Sequence, residues 1–126
     1  MAYRTPLARV RGLGSAKEGT EHFWKQRLTA VANFALACFL IWLVVKLAGA
    51  DYITVKQTLA RPQNAIPLLL LVLSGVIHMR LGMQTIIEDY VHSEGRKVAA
   101  LMLNSFFAIT MGLICVFAVL KLSFGA

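Results

Sequence analysis

Three stretches of the chain are almost continuously apolar, at residues 28–50, 66–87 and 98–122, and polar residues gather between and before them. Each stretch exceeds the roughly 20 residues that carry a helix across about 30 Å of hydrocarbon. The pattern predicts an all-α membrane protein with three transmembrane helices. Ahead of them, residues 1–27 read as a polar arm in which Gly12, Gly14 and Gly19 break any long helix before the first span. Domain organisation is then an arm over 1–27 and an anchor over 28–126. The connector GADYITVKQTLARPQNAIP has Pro62 placed for a turn and Pro67 for a helix start. The shorter DYVHSEGRK makes the second and third spans antiparallel neighbours.

Composition agrees. At 126 residues, 58% of them hydrophobic, and a mean hydropathy of +0.67, the chain is too apolar to hide its surface in a core of its own. A formal net charge of +7 raises nucleic acid as a partner, but that needs a soluble basic surface, and most of this sequence is lipid-soluble. The charge informs topology instead. Arg4, Arg9, Arg11, Lys17, Lys25 and Arg27 precede the first span, and Arg96 and Lys97 separate the second from the third. Lys46, Lys56, Arg61 and Lys121 fall on the opposite side, and Arg80 lies within a span. This bias puts the N-terminus and the second loop in the cytoplasm. The Arg-rich, acid-free start imitates a mitochondrial presequence, but no apolar core of a secretory signal is present in the first 27 residues. Phe23 and Trp24, beside Lys25 and Arg27, suit an interfacial belt.

Small residues recur at helical spacing in the first span (Ala30, Asn33, Ala37) and the third (Ser105, Ala108, Gly112, Cys115), which predicts close helix packing. Asn104 and Thr110 can bond between helices or to their own backbone. Cys38 and Cys115 sit mid-span without metal-like spacing and read as packing residues.

The chemistry concentrates in GVIHMRLGMQTIIEDY, residues 75–90. Ser74, His78 and Gly82 share one helical face, with Gly75 beside them, so the histidine is expected in a groove of small residues. An ionisable residue at this depth is a functional candidate by default. Three readings fit it: an axial ligand to a haem iron, a histidine hydrogen-bonded to a neighbouring helix, or part of a proton or ion path. With no second histidine expected in the spans, a haem needs a partner chain for its other ligand. Arg80 is about 200° further round and takes no role. Asp89 returns nearly to the face of His78 about three turns on, with Tyr90 next to it at the membrane boundary. A phenol there can donate to a carbonyl of a lipid-soluble ligand, with the carboxylate orienting it or relaying protons; alternatively the pair is an ordinary belt tyrosine and a solvated acid.

The order His78, Gly82, Asp89-Tyr90, continued by Val91-His92, resembles the hydrophobic membrane anchor subunits of succinate dehydrogenase, complex II. A second match is GTEHFWKQRLTA, with its glycine, aromatic and Arg27-x-Thr29-Ala30, and RVRGLGSAKEGT before it resembles mature bacterial members, against the presequence reading. The third span matches in hydrophobicity alone. The resemblance implies a helix bundle of unlike subunits sharing haem b, with His78 as one axial ligand and the companion cytochrome b556 subunit giving the other. It implies Arg27 near the haem propionates, Tyr90 hydrogen-bonded to ubiquinone and Asp89 supporting it. FAD and iron-sulfur clusters belong, by the same resemblance, to the flavoprotein and iron-sulfur subunits. Succinate is oxidised there, and ubiquinone is reduced near the cytoplasmic face of a bacterial inner membrane. This chain would be a non-catalytic anchor. His22 and Arg80 gain no role by resemblance. A fumarate reductase anchor, an oligomeric transporter or proton channel with His78 in its pore, and a structural assembly protein stand as alternatives.

Overall fold

The computed structural model describes residues 5–12 and 17–125, and all regular structure in them is helical: α1 (Pro6–Val10), α2 (Lys17–Leu47), α3 (Tyr52–Ala60), α4 (Pro62–Tyr90) and α5 (Glu94–Phe124). Arg4 and Gly14 lie outside the described residues, as do the side chains of Arg9 and Lys17. Three helical stretches are long and apolar enough to cross a membrane: Thr20–Leu47, Pro62–Tyr90 and Glu94–Phe124, of 28, 29 and 31 residues. At 1.5 Å per residue each outreaches the hydrocarbon, so its ends stand among headgroups or in water.

Two boundaries differ from the expectation. The first long helix begins at Lys17, so it runs through Gly19 and through the junction expected at residue 28. One glycine costs a helix about 1 kcal/mol, too little to stop a segment that the following span continues. The connector between the first two spans also holds a helix of its own. Asp51 caps α3, its Oδ1 accepting from the Thr54 N–H at 3.3 Å, and Gly49 turns the chain out of α2 with φ +78°, a conformation that favours glycine. Pro62 opens α4 in the first turn, while Pro67 lies inside it. Pro67 is near enough to the helix start that only one early intrahelical bond is lost.

α4 lies between α2 and α5. Both neighbours run antiparallel to it: Thr29 meets Ser74 and His78 while Gln26 meets Gly82, and Asn104 meets Arg80 while Gly112 meets Val76. The start of α2, the end of α4 and the start of α5 therefore share one end of the bundle. Lys25, Arg27, Arg96 and Lys97 gather at that end. α3 packs on α5 and α4 at the other end.

The chain has little core. Leu43, Ala65, Ile87 and Ala108 are the buried apolar residues among those described, whereas Phe34 is 76% exposed and Phe117 67%. For a water-soluble domain this would be unstable; in a bilayer those side chains face lipid or other subunits.

Candidate functional site

The site is built where α2 and α4 cross. His78 is partly exposed, and its Nδ1 lies 3.1 Å from the Thr29 Oγ1. Thr29 is 9% exposed, and its hydroxyl reaches back along its own helix to the carbonyls of Lys25 at 2.7 Å and Gln26 at 3.1 Å. One turn from His78, the Ser74 hydroxyl donates to the Thr29 carbonyl at 3.2 Å. Thr29 is thus tied to α4 twice, once through its side chain and once through its backbone. Two such bonds between helices are each worth on average about 0.6 kcal/mol in a membrane, so they orient more than they hold.

The face of small residues around His78 is used differently from the expected groove. A Cβ on Gly82 would meet the Gln26 Nε2 at 3.4 Å, so this glycine admits α2; at Gly75 a Cβ would meet nothing within 4 Å. Space beside the histidine therefore lies toward Gly75. On α2, Gln26 and Thr29 meet α4, His22 and Asn33 fall on the same face at helical period and are partly buried, and Ala30 of the expected small-residue stripe is exposed. Three polar atoms on this face of α2 are buried without a partner: His22 Nε2, Gln26 Oε1 and Asn33 Oδ1. His22, expected in the arm, lies within a helix long and apolar enough to cross the membrane.

The other expected site residues are not gathered around His78 by this chain alone. Arg27 is exposed, with its guanidinium carbon 4.9 Å from the centroid of the Phe23 ring, a cation–π contact. Two residues from Thr29, it points about 200° away from it. Asp89 and Tyr90 are exposed at the end of α4, and Tyr90 is 78% accessible. Tyr90 lines a shallow depression of about 410 Å³ with Val91, His92, Ser93, Arg96 and Ala100, so an arginine and the phenol share one wall. Arg80 is exposed on the α5 side, where it lines a cavity of about 340 Å³ with Lys25, Val76, Ile77, Leu81, Ala108 and Ile109. Its backbone carbonyl accepts from the Asn104 Nδ2 at 3.0 Å, so Asn104 bonds between helices. Thr29 itself is the residue that reasoning from sequence passed over as a player, although it stood in the Arg27-x-Thr29-Ala30 motif.

Three apolar helices, with a histidine half-way along the middle one and most of their surface uncovered, define a multi-pass membrane protein. The chain belongs to the succinate dehydrogenase/fumarate reductase transmembrane subunit family, whose model it matches over residues 1–119. It is 32% identical to the succinate dehydrogenase hydrophobic membrane anchor subunit of Paracoccus denitrificans, over 100% of this chain and 97% of that one. It is 31% identical to the subunit of the same name from Rickettsia bellii, over 91% of this chain and 94% of the relative. The succinate dehydrogenase membrane anchor subunit of Reclinomonas americana is 32% identical, over 74% of this chain and 80% of the relative. No solved structure gives a significant match. The chain's place is therefore that of a non-catalytic membrane anchor subunit of succinate dehydrogenase.

Proposed function

We propose that this anchor supplies one axial ligand to a haem b shared with a companion cytochrome b556 subunit, and one wall of a ubiquinone site near Tyr90. The observation that carries the reading is His78 itself. Its ring is held at membrane depth by one nitrogen, is partly exposed, and has open space at Gly75 beside it. Its Nε2 makes no hydrogen bond among the described residues. A histidine serving packing alone would use its polar atoms within the bundle, since an unpaired one in hydrocarbon is costly. The residues fit the group: an imidazole with a free nitrogen and small neighbours on its helix. When bound, such a haem supplies a one-electron centre inside the membrane.

The remaining roles follow from position. Arg27 offers a cation near the cytoplasmic end of α2, suited to haem propionates. Tyr90 donates a hydrogen bond to a quinone carbonyl, and Asp89 orients it or passes protons from the aqueous side. Ubiquinone is thus a substrate held at the interface by the phenol. The largely uncovered spans receive lipid and the cytochrome b556 subunit, and the cytoplasmic end receives the iron-sulfur subunit, with the flavoprotein beyond it. FAD and iron-sulfur clusters reside in those partners. The setting is the inner membrane of a bacterial cell.

The test is a dithionite-reduced minus oxidised spectrum of the complex purified through this chain, for wild type and His78→Ala. A b-type signal in the wild type, lost or strongly altered in the variant while the soluble subunits co-purify, is expected. An unaltered signal in His78→Ala would remove the ligand role.

A further inference from the structure

We infer that Thr29 fixes the tautomer of His78, placing the ring proton on Nδ1 so that the Nε2 lone pair is held ready for a metal; this rests on the haem reading above. The hydroxyl has one hydrogen and two lone pairs. Its oxygen lies 2.7 Å from the Lys25 carbonyl oxygen and 3.1 Å from that of Gln26. Two oxygens at 2.7 Å need a hydrogen between them, because without it their lone pairs face each other. The Thr29 hydrogen is thereby committed to its own helix. What remains toward His78 Nδ1, at 3.1 Å, is a lone pair. Nδ1 must then be the donor, and a neutral imidazole with hydrogen on Nδ1 has its lone pair on Nε2.

The opposite arrangement fails twice. If the hydroxyl donated to Nδ1, the contacts to both carbonyls would be left without hydrogen, and Nε2 would carry the proton and could not ligate. The Ser74 bond to the Thr29 carbonyl does not compete, since it uses a different atom of Thr29. Thr29 is thus a positioning residue: α2, anchored by its own carbonyls, sets the proton on a ring carried by α4. A hydrogen bond from the far nitrogen of a ligating histidine raises the basicity of the ligand, and loss of such partners weakens metal retention by about 10- to 100-fold. A more basic imidazole favours the oxidised iron, so losing the bond should raise the haem midpoint potential.

The experiment compares the purified complex carrying Thr29→Val, Thr29→Ser, Ser74→Ala and His78→Ala by haem content, redox titration and electron paramagnetic resonance of the oxidised haem. Thr29→Val keeps the shape and removes the hydroxyl; it should lower haem retention by about ten-fold or more, raise the midpoint potential of what remains and shift its resonance. Thr29→Ser should restore the wild-type potential and resonance. Ser74→Ala, which removes the other bond between the two helices, should leave both in place. Unchanged haem properties in Thr29→Val, or an equal change in Ser74→Ala, would overturn the inference. Should Thr29→Val fail to assemble, Thr29→Ser decides: wild-type haem properties support the hydroxyl's role, and shifted ones count against it. An unaltered haem in His78→Ala defeats the ligand reading itself, whereas loss there with no effect of Thr29→Val defeats only the role of Thr29.

Discussion

The two flanks of α4 are built from different materials. Toward α5, Ala108 is fully buried and the Val76 methyl groups stand 3.5 and 3.6 Å from where a Cβ on Gly112 would be. One polar tie crosses that flank, from Asn104 to the Arg80 carbonyl. Toward α2 the contact turns apolar further along, where Leu43 is buried, but over residues 22–33 it is polar, with Thr29 bonded to Ser74 and His78 and three buried polar atoms of that stretch without a partner. In lipid no hydrophobic force drives helices together, so close packing of small residues is what holds a pair. The α5 flank meets that need. The α2 flank contains polar atoms that packing alone does not require, and such groups mark function when they lie at membrane depth.

Filling the α5 flank should therefore do the most damage. Ala108→Leu adds a branched side chain where there is no free surface; overpacking of this kind costs about 1–3 kcal/mol, sometimes more. Loss of the assembled complex on a native gel, or a clearly lower thermal midpoint, is the expected result. The same kind of intrusion on the α2 flank, Gly82→Ala, meets only the flexible end of Gln26 at 3.4 Å and should be tolerated much better. Equal damage from both would erase the contrast between the flanks.

Next in size is Tyr90→Phe, at the end of α4 beyond either seam. Removing a hydrogen bond made to a bound substrate costs on the order of 1 kcal/mol or somewhat more, so quinone reduction should fall by about ten-fold. Succinate oxidation with a soluble dye, and the haem spectrum, should stay as they are. Arg96, which shares the Tyr90 depression, gives a companion variant: Arg96→Gln should alter quinone kinetics in the same assay if the depression is the site, and unchanged kinetics in both would place the quinone elsewhere.

Much of this architecture can be read along the chain, and the parts that cannot share a cause. Three apolar runs, each longer than the hydrocarbon is thick, announce three helices, because lipid tolerates little else. His78 stands out because a charge-capable ring is rare at that depth. The helix through Gly19 was hidden because hydropathy reports where lipid begins and not where hydrogen bonding stops. The helix α3 was hidden for the opposite reason: Tyr52–Ala60 is too short and mixed to show a span, and its cap at Asp51 looks like any loop aspartate. Thr29 escaped because its importance depends on which face of α2 meets α4, and that register is a tertiary fact. Arg27, Asp89 and Tyr90 are exposed and lie apart from His78 in this chain, so the resemblance that grouped them has no counterpart in the packing of these helices alone.

Ser74→Ala sharpens the contrast at a smaller scale. It removes one of the two bonds that the polar flank makes to Thr29, and a bond of this type averages about 0.6 kcal/mol in a membrane. A fall in thermal midpoint of that order, with assembly intact, is expected. A collapse like that of Ala108→Leu would mean that the polar flank also carries the fold.

The smallest effect lies at the far end of the bundle, where Asp51 caps α3. The hydrogen bond from Thr54 holds the Asp51 carboxyl below its usual value, opposed by slight desolvation. A carboxylate lowered in the folded state stabilises it above the unfolded value and loses that contribution as pH falls through the folded one. The window therefore lies at and below about pH 4, the ordinary aspartate range. Hydrogen exchange of the Val55 amide, which donates to the Asp51 carbonyl at 3.1 Å, should quicken relative to the core of α5 as pH is lowered through that window, after correction for intrinsic rates. Asp51→Asn keeps a capping oxygen and should flatten this dependence, with quinone reduction and haem content unaffected. If Asp51→Asn instead disturbed the haem, the two ends of the bundle would be coupled along α4. The separation between a packed flank, a polar flank and an inert far end would then be wrong in its last member.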